Sequence, residues 1–265
     1  MKSILEALKD PYERKARVTP GLLLCLPLFV PLICVYGPKH PILTSVIALL
    51  GGCGAVYGLA SISRGLGKKL EERLVQRWGG MPTTLMLRHR DGFLDSVSKG
   101  RYHEAITAKL AIAVPTSAQE AADPAAADDV YKGATRRLRE LTRDDKKLLL
   151  TENIAYGFHR NMLALKPAGI VACLAGIFYG LLISKALRVA PFEFAPVHLL
   201  DPGLPAALTL GISIALLLAW VAYFNADTVR RIGFVYAERL FECLVNLPSA
   251  GRGKPRAARP TSAKE

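Results

Sequence analysis

Two clusters of basic residues are the part of this sequence best suited to chemistry. The first is the run RHRD at 88–91, which follows a Gly-Gly-Met-Pro-Thr-Thr turn. The second lies on a predicted helix, where Arg136, Arg139 and Arg143 recur at i, i+3 and i+7 and therefore share one face. Planar guanidinium groups bind phosphates through paired hydrogen bonds, so both clusters indicate a site for an anionic ligand. The candidate ligand-binding residues are Arg88, His89, Arg90, Arg136, Arg137, Arg139, Arg143 and Arg160.

A nucleotide or oligonucleotide is the ligand class that these residues fit. Tyr156 and Phe158 follow the arginine run and would supply aromatic surface on which bases stack. A structural interpretation is also open. Glu140, Asp144 and Asp145 stand among the arginines and could pair with them on a solvated face, and basic residues beside a membrane span are typical of its cytoplasmic side.

The sequence predicts no enzyme, no cofactor and no metal site. It contains no GxxxxGK[ST], no GxGxxG after a strand, no HExxH and no GxSxG. Its five histidines are not spaced as metal ligands, and His89 and His159 have no visible nucleophile to activate. A membrane enzyme built on the RHRD run is the remaining catalytic alternative.

Hydropathy and charge must be segregated along the chain. Mean hydropathy is +0.25, yet 22% of the 265 residues are charged and the formal net charge is +13. A soluble domain seldom combines these values. The composition therefore indicates a membrane protein with a basic aqueous part.

Four apolar stretches without charged residues predict four membrane-spanning helices. About 20 apolar residues cross the ~30 Å hydrocarbon layer of a bilayer. A charge at the centre of a span would cost roughly 2.5–3.5 kcal/mol, and none of the four carries one. The predicted spans are 21–36, 41–62, 167–184 and 204–224.

The distribution of lysine and arginine predicts the orientation. Basic residues flank the first span on its N-terminal side, follow the second span, and follow the fourth. The positive-inside rule then places both termini and the middle region in the cytoplasm. All five cysteines would lie in membrane or cytosol, which fits unpaired thiols.

The predicted fold is mainly all-α, with a cytosolic helical domain between two hairpins of spans. Helical periodicity is strongest over 128–165, and 227–247 is amphipathic and predicted to prolong the fourth span. The run TTLMLRHRDGFL is either a short strand or a helix start capped by Thr83 or Thr84. The predicted segments are a cytosolic N-terminal segment 1–20, hairpin one 21–62, a basic cytosolic domain 63–166, hairpin two 167–224, a cytosolic amphipathic helix 225–248 and a disordered basic tail 249–265.

Small residues at four-residue spacing predict close helix contacts within the spans. Gly54 and Gly58 form one GxxxG pair, and Gly176 and Gly180 form another. Whether the contacts lie within one chain or between chains is not fixed by the sequence. No Asp, Glu, Lys, Arg or His lies within a span, which argues against a proton-coupled transporter.

The whole plan resembles the small four-span effectors of bacterial anti-phage systems, in particular the Hailong type. The blocks that carry this resemblance are RWGGMPTTLMLRHRD at 77–91 and TRRLRELTRDDKKLLLTENIAYGFHRN at 135–161. The resemblance implies a membrane-permeabilising oligomer in the bacterial inner (cytoplasmic) membrane, controlled by an intracellular nucleotide signal. It also implies a cognate nucleotidyltransferase partner that makes DNA oligomers.

The leading hypothesis is a homo-oligomeric ion channel or pore that a nucleotide or oligonucleotide gates, in contact with membrane lipid and acting in anti-phage defence. Four helices in one chain leave no wide lumen, so conduction would need several copies around an axis. The alternative is a non-enzymatic membrane scaffold whose basic face recruits a soluble partner or anionic lipid.

Overall fold

Helices make up most of the computed structural model, which describes residues 10–41, 45, 56–142 and 147–247. The mainly α class is therefore confirmed for this part of the chain. The helices are α1 (Glu13–Tyr36), α2 (Val56–Trp78), α3 (Pro82–Leu87), α4 (Ser96–Leu110), α5 (Ser117–Ala122), α6 (Pro124–Leu141), α7 (Lys147–Ile183), α8 (Gly203–Tyr223) and α9 (Ala226–Val245). A two-stranded hairpin, β1 (Leu187–Val189) and β2 (Phe192–Phe194), and a 3₁₀ turn at Pro196–Leu199 lie between α7 and α8.

Three helices of the described residues are long and apolar enough to cross a membrane. They are α1, the part of α7 at Leu149–Ile183, and α8, and they correspond to the first, third and fourth predicted spans. The length and composition of these helices indicate a membrane protein. The second predicted span, 41–62, lies largely outside the described residues and stays a prediction, as do the tail 249–265 and most of the segment 1–20.

Helix α1 is widened into π-helical turns at both ends, Glu13–Val18 and Leu32–Tyr36. The second of these turns begins directly after Pro31, which has no N–H to donate to the helical ladder. The π-helical turn at Glu13–Val18 includes Ala16, whose carbonyl oxygen accepts a hydrogen bond from a side chain of α7.

Helix α7 is one uninterrupted helix of 37 residues, about 55 Å long at 1.5 Å per residue. It contains Pro167 without ending there. Because a span needs only ~30 Å, a polar N-terminal portion of α7 extends beyond the apolar portion.

The predicted helix 128–165 is wrong as a single element, because α6 ends at Leu141. Thr142 leaves helical geometry at φ −96° and ψ 5°. Its backbone N–H and its hydroxyl both donate to Leu138 O, at 2.9 and 2.8 Å, which satisfies a carbonyl at the end of the helix. Residues 143–146 are not described, and α7 follows them.

The predicted continuation of the fourth span into the amphipathic helix is also wrong. The backbone turns extended at Phe224, with φ −84° and ψ 97°, and α9 begins afterwards. Asn225 caps α9 by accepting from Thr228 N–H at 2.8 Å. Lys166 Nζ donates to Phe224 O at 3.0 Å and Val221 O at 3.2 Å, so a cation occupies the carbonyl end of α8.

Of the two alternatives for the run after the Gly-Gly turn, the structure has the helix. Helix α3 begins at Pro82 after Met81, whose φ of −67° and ψ of 144° are extended. Proline suits this first position because its missing N–H would have no partner there. Neither Thr83 nor Thr84 is therefore the capping residue.

The chain divides into two compact units. The long-helix unit comprises the described residues of Met1–Gly80 and Lys147–Tyr236. The small unit comprises those of Met81–Lys146 and Ala237–Glu265. The sequence interval 63–166 thus contributes to both units, since α2 and the start of α7 pack with the apolar helices.

The glycines of α7 pack within the chain. A Cβ on Gly176 would lie 2.3 Å from Ser213 Oγ and 2.9 Å from Pro27 Cβ, and a Cβ on Gly180 would lie 2.8 Å from Leu210. Close approach of helices at small residues is the expected use of this spacing. The Gly58 position is open in the structure, and Gly54 lies outside the described residues.

Replacing Gly176 with alanine is expected to destabilise the packing of α1, α7 and α8 by about 1–3 kcal/mol, because the added methyl group overlaps Ser213 Oγ and Pro27. Thermal unfolding in detergent would measure the loss. Gly211→Ala is the matched control, since a Cβ there meets nothing within 4 Å. Equal stability of the two variants would contradict the packing.

Candidate functional site

Arg88 lies buried in the small unit and is held by an acidic partner. Its side chain donates from Nε to Asp128 Oδ1 at 2.7 Å and from Nη2 to Asp128 Oδ2 at 2.5 Å. A third nitrogen, Nη1, lies 3.4 Å from Asp91 Oδ2. This is a two-pronged ion pair between the segment after α3 and the first turns of α6, with residue exposure of only 6% at Arg88.

Glu120 is the centre of the same network. Helix α5 places it there through a capping box in which Thr116 and Gln119 satisfy each other's backbone. The buried carboxylate accepts from His89 N–H at 2.8 Å, from Arg90 N–H at 3.2 Å and Nη1 at 2.9 Å, and from Tyr131 Oη–H at 2.7 Å. One carboxylate therefore fixes both the backbone and a guanidinium of the RHRD run.

Lys99 and two histidines complete the cluster through backbone carbonyls. Lys99 Nζ donates to Asp91 O at 2.6 Å and lies 3.4 Å from His89 O. His89 Nε2 lies 3.0 Å from Pro115 O, and the His103 ring lies edge-on to the His89 ring at 4.7 Å between centroids. The two histidines and the start of α5 line an open groove of about 560 Å³.

The network shifts the acidity of its members. Burial opposes ionisation of Glu120, but the hydrogen bonds from Tyr131, His89 and Arg90 and the charge of Arg90 outweigh it and lower the pKa to about 2. The pKa of Asp128 is likewise lowered, since its bonds to Arg88 outweigh the cost of burial. Burial lowers the pKa of His103, and burial together with the bond to Glu120 raises that of Tyr131.

The small unit should lose stability as pH falls from about 5 towards 2. A carboxylate with a depressed folded pKa stabilises the fold above its unfolded value and loses that contribution as pH falls through the folded value. For Glu120, a shift from 4.5 to about 2 corresponds to about 3 kcal/mol. Amide hydrogen exchange of α3–α6 as a function of pH would measure this, and a Glu120→Gln variant should show a flatter profile.

This geometry explains what the RHRD cluster does in the folded chain. The Arg88 guanidinium is engaged by Asp128 and Asp91, and Arg90 by Glu120 and Asp128, so the cluster joins α3, α5 and α6. Arg90 is the more accessible of the two, with 39% of its side chain exposed. The predicted ligand role of Arg88, His89 and Arg90 stays a prediction, and the contacts found for them are internal.

The arginines of α6 are placed differently, on its outward face. Arg136, Arg137 and Arg139 are exposed, while Tyr131 and Leu138 of the same helix are fully buried. Arg137 Nη1 pairs with Glu140 Oε2 at 3.2 Å. Neither Arg136 nor Arg139 forms an ion pair with any residue that the structure describes. Arg143, the third member of the predicted stripe, lies outside the described residues.

Arg160 belongs to the long-helix unit and not to the unit that holds the other predicted ligand residues. Its Nη1 donates to Glu71 Oε2 at 3.0 Å, and Tyr156 Oη donates to Glu71 Oε1 at 2.8 Å. The Tyr156 side chain is buried and stacks on Tyr236. The expected stacking of a base on Tyr156 therefore has no open aromatic face to use.

Asn161 is the centre of a second set of buried polar contacts, which was not predicted from the sequence. This fully buried amide donates from Nδ2 to Ala16 O at 2.6 Å, and its Oδ1 sits where a Cβ of Gly67 would be, at 1.9 Å. Helices α1, α2 and α7 meet at this point. The sequence shows only a glycine in one helix and an asparagine in another. Nothing in their spacing shows that the two residues are in contact.

In the part of the chain that the structure describes, no group of three or more His, Cys, Asp or Glu could hold a metal ion. Among those residues, Cys25, Cys34 and Cys173 are free thiols. His159 has both ring nitrogens near oxygen partners, Ala155 O at 2.8 Å and Tyr223 Oη at 3.2 Å. The contacts described in this section hold charged and aromatic groups in place, and helix α6 exposes its arginines to solvent.

Comparison with known proteins gives no family for the chain. No family model, no curated protein and no solved structure matches it. The resemblance in plan to anti-phage effectors stays a prediction.

Proposed function

We propose that the chain is a membrane effector that forms a homo-oligomeric ion channel or pore, gated by a nucleotide or oligonucleotide. The observation that carries the proposal is the unbroken course of α7. One helix of 37 residues joins the position after the arginine-bearing α6 to an apolar span. A rigid helix moves as a unit, so a change at its polar end is transmitted to its apolar end.

The exposed arginines of α6 are the proposed contact for the ligand. Arg136 and Arg139 lie one turn apart and project from a helix whose opposite face is anchored by Tyr131 and Leu138. Among the residues that the structure describes, no carboxylate forms an ion pair with either guanidinium, and an exposed guanidinium can bind a phosphate. The network around Glu120 holds α6 against α3 and α5, so the two arginines are presented on a rigid support.

The proposed setting is the bacterial inner membrane, with both termini and the small unit in the cytoplasm. A cognate nucleotidyltransferase would supply the signal, as the resemblance to Hailong-type effectors implies. The assembly acts in anti-phage defence by dissipating ion gradients when the signal binds. No catalytic role is assigned to any residue.

Charge reversal at the arginines tests the ligand contact. The variant Arg136→Glu/Arg139→Glu is expected to lose binding of short single-stranded DNA oligomers to the purified chain, measured by fluorescence anisotropy in detergent. In the parent chain, the two phosphate contacts should contribute about 1.4 to the slope of log K against log salt.

Lys68→Glu/Lys69→Glu is the control, because it changes the net charge equally at exposed positions of α2. Oligomer binding that survives in the α6 variant contradicts the assignment of the ligand to these arginines. Loss of a protein partner, or of anionic-lipid binding, with no DNA binding in the parent chain would favour the scaffold function instead.

A further inference from the structure

The hairpin between α7 and α8 has one apolar face. Its strands pair antiparallel, with Leu187 opposite Phe194 and Val189 opposite Phe192. Side chains alternate across a strand, so these four residues share one side of the hairpin. The other side carries the cross-strand pair Arg188 and Glu193, joined at 3.1 Å between Nη1 and Oε2.

The apolar face is left uncovered. Phe192 is 79% exposed, Val189 63% and Phe194 56%. Farther along the chain, Leu200 at 86% and Leu204 at 72% are exposed as well. Contiguous apolar surface of this kind is rare on soluble proteins and marks a contact with another molecule or with lipid.

The position of the hairpin indicates which of these it meets. It begins at Leu187, shortly after α7 ends at Ile183, and α8 begins at Gly203. Both flanking helices are apolar enough to span a membrane, and both carry exposed apolar side chains such as Phe178 and Leu208. A short connection between two spans lies where the helices leave the hydrocarbon, so its apolar face continues the lipid-facing surface of the helices.

We propose that the hairpin lies in the membrane interface on the side where α7 and α8 are joined, with Val189, Phe192 and Phe194 among the acyl chains. The Arg188–Glu193 pair then faces the headgroups and water. Aromatic and aliphatic side chains partition into this layer, while an ion pair stays solvated. The occupant of the apolar face is lipid. The inference rests on the membrane placement of α7 and α8 within the proposed function and on none of its ligand chemistry.

Photo-crosslinking from single positions tests the inference. The full chain carries p-benzoylphenylalanine in place of Phe192, of Arg188 or of Phe178, and is reconstituted into liposomes of phosphatidylethanolamine and phosphatidylglycerol. Irradiated samples are analysed by mass spectrometry for lipid adducts and by gel for protein crosslinks. Arg188 is the matched control on the opposite face of the hairpin, and Phe178 reports on the span itself.

The expected result is a lipid adduct at position 192 comparable in yield to that at 178 and several-fold above that at 188. Lipid adducts at 178 with none at 192 would overturn the hairpin inference while leaving the spans in place. Crosslinking of 192 to a second copy would also overturn it, since the face would then be a protein interface. Absence of lipid adducts at all three positions would contradict the membrane placement on which both proposals depend.

Discussion

Replacing Glu120 with alanine is expected to unfold the small unit or to destabilise it by about 3–5 kcal/mol. The carboxylate is 2% exposed and accepts hydrogen bonds from three residues. Removing one partner of a buried charged network leaves the other groups unsatisfied, and that cost exceeds the value of the bonds themselves. Tyr131 is fully buried and would lose the acceptor of its hydroxyl, whereas Arg90, with 39% of its side chain exposed, turns to solvent.

Hydrogen exchange of amides in α3–α6 of the intact chain in detergent would measure this change. A loss of 3 kcal/mol speeds exchange through the open state by about 100-fold, since 1.4 kcal/mol is a factor of ten. Glu140→Ala is the matched control, because the ion pair that Glu140 forms with Arg137 is exposed and the variant should change stability by less than about 0.5 kcal/mol. Similar protection in both variants would show that the network does not hold the unit together.

The second large effect is expected at Gly67, where alanine should destabilise the long-helix unit by about 2–3 kcal/mol. The added Cβ would lie 1.9 Å from Asn161 Oδ1, and Asn161 is held in place by its bond to Ala16 O. Helix propensity alone predicts the opposite sign, because alanine is about 1 kcal/mol better than glycine within a helix. The steric overlap therefore decides the outcome.

Gly65 provides the control on the same helix. A Cβ there meets nothing within 4 Å, so Gly65→Ala should be neutral or stabilising in thermal unfolding. The double variant Gly67→Ala/Asn161→Ala should be less destabilised than the sum of its single variants, because the overlap disappears with the amide. Strict additivity would mean that the two residues are not in contact.

The spans were predictable because they depend on properties local to the sequence. Apolar length and freedom from charge were sufficient for α1, α7 and α8, although α1 starts at Glu13 and not at Gly21. The ends of helices were less predictable. Thr142 ends α6 inside a charged run, and Phe224 separates α8 from α9, because backbone geometry there is set by individual capping bonds.

The candidate site was half predictable for a related reason. Helical spacing shows that Arg136 and Arg139 share a face, and the structure leaves both exposed. Helical spacing cannot show that Arg88 pairs with Asp128, 40 residues away, or that Arg160 pairs with Glu71, 89 residues away. Such pairings depend on how helices pack. The sequence around an arginine does not show which distant carboxylate lies beside it in the folded chain.

The hairpin between α7 and α8 has a sequence pattern that is typical of paired strands. The runs LRV and FEF alternate apolar and charged residues on either side of Ala-Pro, which is the period-two pattern of a short half-exposed strand pair. Two strands of three residues are stable here because the flanking helices bring their ends together.

Ion flux through liposomes that contain the purified chain tests the central claim most directly. Potassium-loaded vesicles with a voltage-sensitive dye are compared with and without short single-stranded DNA oligomers or mononucleotides in the lumen and in the bath. The account predicts flux that depends on the added nucleotide and that is lost in the Arg136→Glu/Arg139→Glu variant. Tight vesicles under every condition, with the chain correctly inserted, would contradict it.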